Sequence, residues 1–144
     1  MRFSVLAVYF LSLFLLTSIV HASEHRIDPV ENCFYLNQTE NLPEKGVKVM
    51  LKLNTTYSLS LKGNAYFSEQ TGTESDPMPG VVVFYPTNRE DGFDSEYVVL
   101  RTGENITFTT PSSEQESVFL IAFCLDYWPK SHNVGEFILK VTPR

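Results

Sequence analysis

The stretch VKVMLKLNTTYSLSLK, residues 47–62, decides the fold class. Val47, Val49, Leu51 and Leu53 fall on one side of an extended chain, with Lys48 and Lys52 on the other. After a turn at Asn54–Thr55, Tyr57, Leu59 and Leu61 alternate with Ser58, Ser60 and Lys62. Successive strand residues point to opposite faces, so a period of two marks strands with one buried side.

Working outward, the same pattern recurs. Gly63–Asn64 offers a bulge before Ala65, Tyr66 and Phe67. VVVFY, 81–85, is an unbroken apolar run that predicts a strand covered on both faces and ended by Pro86. Tyr97–Leu100 and Ile106–Phe108 read as short strands, and SVFLIAFCL, 117–125, as the strongest core strand. Gly135 opens a last strand in which Phe137, Leu139 and Val141 alternate with Glu136 and Lys140. Polar loops separate these runs at 68–80, 87–95, 111–116 and 126–134, and no convincing helix is present. The expectation is an all-β, mainly antiparallel β-sandwich of seven to eight strands, jelly-roll or galactose-binding-like, over residues 47–144. Residues 23–46, with Pro29, Pro43 and Gly46 as breakers, read as an irregular N-terminal arm.

The chain opens with Arg2, a mostly apolar run and a small residue at Ala22, the pattern of a secretory signal peptide over 1–22. The other reading of that run is an uncleaved anchor, since it is nearly long enough to span. The formal net charge is −6, and cleavage would remove Arg2 and no acid, leaving the rest one unit more negative. That balance argues against nucleic acid and anionic membrane surfaces, and residues 23–144 hold no second long apolar run to insert into a membrane. A secreted, extracellular protein is expected. Its two cysteines, Cys33 and Cys124, then predict one disulfide. Closing a loop of roughly 90 residues would contribute about 4–5 kcal/mol if unstrained. Asn37, Asn54 and Asn105 each head an N-x-T sequon and are the expected glycan acceptors.

Catalytic patterns are thin. Signal cleavage leaves His25 and His132, and no G-x-S-x-G or H-E-x-x-H occurs. Carboxylate pairs such as Glu90–Asp91 and Asp94–Glu96 could serve as acid and nucleophile, but acidic surface loops usually serve solvation alone. The expectation is not an enzyme. The loop LDYWPKSHN, 125–133, offers more: Asp126, Ser131, Asn133 and several carbonyls are oxygen donors of the kind calcium takes, with a second acid from Asp76 or Asp94. Tyr127 and Trp128 at the strand exit fit either stacking on a sugar ring or capping the sandwich core.

Four segments together resemble the bacterial galactophilic lectins, small β-sandwiches that bind galactose through calcium. They are TYSLSLKGNA (56–65), DPMPGVVV (76–83), FTTP (108–111) and LIAFCLDYWPKSHNVGEFILKV (120–141). The resemblance implies metal ligation by Asp126, Asn133 and a carbonyl near Tyr66 or Phe67. The candidate sugar-contacting residues are Tyr127, Trp128, Asp76 and His132. The chain departs from the family where His132–Asn133 replaces two adjacent asparagines, and where Asp76 and Pro79 stand at the places of the sugar-contacting His and Gln. Two functions follow as expectations. One is a secreted, non-enzymatic carbohydrate-binding module using loops 63–80 and 126–134, with calcium. The other is a secreted glycoprotein that binds another extracellular protein or serves as structure, with no sugar or metal site. The first needs oxygen ligands to converge beside Trp128; the second needs an exposed apolar or aromatic patch elsewhere.

Overall fold

The computed structural model describes residues 21–36, 45–68, 76–89, 92–112, 118–127 and 132–144. In chain order its strands are β1 (Ser23–Ile27), β2 (Cys33–Tyr35), β3 (Val47–Leu51), β4 (Thr56–Tyr66), β5 (Val81–Arg89), β6 (Gly92–Leu100), β7 (Asn105–Thr109), β8 (Val118–Asp126) and β9 (Val134–Pro143). They form two sheets, one ordered β1-β9-β4-β7 and one ordered β2-β8-β5-β6, with β3 paired to β8 as well. The alternation read from the sequence builds the interior. Leu59 and Leu61 of β4, Phe137, Leu139 and Val141 of β9 and Ile27 of β1 pack in one cluster with Val81 and Val83 of β5, Leu100 of β6 and Leu120 and Ala122 of β8. A β-sandwich is therefore present. Among the described residues no helix is long and apolar enough to cross a membrane.

Several expectations are corrected. The stretch read as an irregular arm supplies two strands. β1 pairs antiparallel with β9, placing Ile27 opposite Phe137, and β2 pairs parallel with β8. Their partners lie far along the chain, so local composition carries no sign of the pairing. Between them, Asp28 Oδ1 accepts the Val30 and Glu31 amides, and Asn32 Oδ1 accepts the Asp28 amide, which folds the turn. Pro86 does not end β5, and the loop expected over 87–95 is a hairpin: β5 and β6 pair from Val81–Leu100 to Arg89–Gly92. The pairing of β5 with β8 covers only Val82–Phe84, so Pro86, which lacks an amide donor, lies past that ladder.

The expected disulfide is also absent. Cys33 and Cys124 are unbonded thiols, both fully buried. They are nonetheless register partners on the neighbouring strands β2 and β8. Hydrogen bonding to the Cys124 thiol, and then burial, push the Cys33 thiol far above its ordinary value of 9.0. The folded chain thus keeps a proton that the unfolded chain gives up as pH rises past that value. Stability of the reduced protein is expected to be full below about pH 8.5 and to fall above it, by about 1.4 kcal/mol per pH unit for one such thiol. Tyr85, pushed up by burial and by Glu96, adds to the loss above its ordinary 10.0. Urea denaturation with reductant at a series of alkaline pH values tests this. The slope between pH 9 and 10 should vanish in a Cys33→Ala variant, and a slope unchanged there rejects the assignment.

Candidate functional site

Two features compete for the site, one at the end of the sandwich and one on its flank. At the end, β8 stops at Asp126 and β9 starts just after Asn133, so the sequence-predicted pair does come together. Asn133 Nδ2 donates to Asp126 Oδ2 at 3.1 Å and to the Pro29 carbonyl at 3.2 Å, while its Oδ1 accepts the Ser68 amide at 3.1 Å. Asp126 Oδ1 accepts the Tyr127 amide at 2.6 Å, and the Asp126 carbonyl accepts the Leu36 amide. Both side chains are buried. One amide thus ties the β1–β2 turn, the exit of β4 and the two strands β8 and β9.

The remaining predicted residues cluster loosely around this knot. Tyr66 ends β4 opposite Val134 and bridges to Pro77. Asp76 is exposed, and its carbonyl accepts the Phe67 amide. Tyr127 is 61 % exposed, and His132 is half-buried in the turn before Asn133. Trp128, Pro129 and Ser131 lie outside the described residues, as do Asn37, Glu90, Asp91 and residues 1–20. Asn54 and Asn105 are exposed, as glycan acceptors require.

Calcium takes six to eight oxygens. Here Asn133 turns its NH2 group toward the carboxylate, and its oxygen is occupied by the Ser68 amide. Reversing the amide would set donor against donor at Ser68. The arrangement does not fit a cation held jointly by Asp126 and Asn133, and the described residues hold no group of three or more His, Cys, Asp or Glu suited to a metal.

The flank feature was not singled out from the sequence. In β8 and β5 residues of both parities are apolar, so one set fills the core and the other faces outward. Across β3, β8, β5 and β6 the register aligns Lys48, Ile121, Phe84 and Tyr97 in one row. Phe123, Val82 and Val99 form the next, and Phe34 lies opposite Leu125. Their rings run as a chain: Phe34 to Phe123 at 4.6 Å, Phe123 to Phe84 at 5.9 Å, Phe84 to Tyr97 at 5.5 Å. Phe34, Val82 and Phe123 at the centre are buried, while Met50, Tyr97, Val99 and Phe119 at the margin are exposed. Lys48 holds its Nζ 3.8 Å above the Phe119 ring. No carboxylate occupies these positions, although the chain carries a net −6. The loss of alternation in VVVFY and VFLIAFCL was the available signal. It reads equally as a strand covered on both sides, which is why it did not mark a surface.

Comparison with protein-family models, with curated proteins and with solved structures finds no match to this chain.

Proposed function

We propose that this chain is a secreted, non-enzymatic binding domain that engages an extracellular protein through the outer face of its five-stranded sheet. The observation that carries the reading is the ring chain from Phe34 to Tyr97 with its exposed apolar margin. Large apolar side chains left exposed around one cluster, here Met50, Tyr97, Val99 and Phe119, mark an interaction site, and aromatic and methionine side chains are enriched where proteins meet. Lys48, with its Nζ over the Phe119 ring on this face, suits a partner whose apolar surface is edged by carboxylates. A sugar site instead needs amides and carboxylates open to hydroxyl groups, and Asp126 and Asn133 hold each other. No cofactor belongs to this reading.

The test presents the purified chain to the secreted proteins of its own source and titrates any captured protein against wild type and Phe119→Glu. Binding about tenfold or more weaker in the variant, at an unchanged melting temperature, is the expected result. A partner indifferent to Phe119→Glu rejects the reading. So does a glycan-array signal abolished by Tyr127→Ala, which would return the site to the sandwich end.

In the same reading Cys33 and Cys124 close their disulfide when the chain meets an oxidising compartment. Neighbouring strands lie about 4.7–4.9 Å apart, and half-cystine Cα atoms about 4.4–6.8 Å. Protein isolated without reductant would then lack the thiol's share of that alkaline loss and keep only the share of Tyr85.

A further inference from the structure

We infer that β6 is a self-pairing edge, and that two copies of this chain join through it into one continuous sheet. Each sheet leaves edges, and the described ones differ. β1 and β7 are five residues each, and β7 begins at the sequon residue Asn105. The opposite edge of the larger sheet is divided between β2, three residues, and β3, five residues carrying Lys48. Short strands, charges and bulky attachments are the usual means of blunting an edge. β6 runs nine residues and pairs, among the described strands, with β5 only. Its Tyr97 is 69 % and its Val99 41 % exposed.

The side chains of β6 select a second copy as its occupant. Antiparallel pairing about a two-fold axis at Val98 sets Tyr97 opposite Val99 of the other copy, and Val99 opposite its Tyr97. Aromatic against β-branched pairs of this sort stabilise sheets. Glu96 then faces Leu100, so no like charges meet. Moving the axis to Glu96 would place carboxylate on carboxylate, which fixes the register against that slip. A two-fold contact is self-complementary, the commonest arrangement for soluble oligomers. Joining the edges also extends the Phe34–Tyr97 ring chain from one copy to the next, though the inference does not depend on what binds that face.

The experiment is sedimentation of the full chain at micromolar concentration. Wild type is expected as a dimer. Tyr97→Lys with Val99→Lys, and Tyr97→Glu with Val99→Glu, should each be monomeric, and an equal mixture of the two should return to dimer size. Phe119→Glu, on β8 away from the edge, should remain a dimer even where it loses a partner protein. Should the double variants fail to fold, hydrogen exchange of wild type decides: the alternate Glu96–Leu100 amides that point away from β5 should exchange faster on dilution. A monomeric wild type, a dimer in either folded double variant, a monomeric Phe119→Glu, or β6 exchange independent of concentration overturns the inference.

Discussion

Replacing Asn133 with alanine is expected to cost about 3–5 kcal/mol of folding stability. The truncation removes three hydrogen bonds at once. It leaves the Ser68 amide and the Pro29 carbonyl without this partner, and takes a donor from a buried carboxylate. Each buried group so stranded carries a desolvation cost of about 1–3 kcal/mol, with more for a charged one. The total would be a large part of the stability of an ordinary domain. Urea denaturation followed by circular dichroism measures it. A loss under about 1 kcal/mol would mean that water enters and replaces the amide, and that the knot does not hold the sandwich end together.

Gly135→Ala should be comparably damaging, by about 3–4 kcal/mol, through backbone geometry rather than polar groups. Gly135 has φ of +87°, and a Cβ there would run into the carbonyl oxygen of Asn64 on the adjoining strand β4. That oxygen belongs to backbone near the Tyr66–Val134 end of the β4–β9 ladder and cannot swing aside as a side chain would. Gly103 provides the control. Its φ is +86°, almost the same, yet nothing lies within 4 Å of a Cβ placed on it. Gly103→Ala therefore reports the conformational cost alone, about 1–2 kcal/mol. Thermal melts of the two variants separate clash from conformation, and equal losses would show that β4 shifts to make room.

How much of this was legible depends on how far apart the interacting residues lie. Alternation over 47–62 and 137–141 is a local property, and it identifies β3, β4 and β9 with their buried sides. Asp126 and Asn133 flank one loop, so their approach was foreseeable. Their bonding to each other and to Ser68 and Pro29 was not, because those partners come from just past the end of β4 and from the turn after β1. β1 and β2 themselves are short and mixed in composition, and only Phe137 and Cys124, about a hundred residues on, give them a place. Pro86 misled for a related reason: proline forbids a donor at one position, but whether a donor is needed there depends on where the neighbouring ladder ends.

The amino-acid order alone determined that this protein is a β-sandwich with an alternating core, since the two-residue period is set by the geometry of an extended chain. It also placed two cysteines where a bridge is conceivable. Tertiary structure decided that those cysteines are register partners, that the amide of Asn133 faces a carboxylate rather than offering its oxygen, and which apolar parity of β5 and β8 turns outward. A side chain's type records what it can bond or bury. Which neighbour takes up that capacity is fixed only when strands distant in sequence are laid side by side.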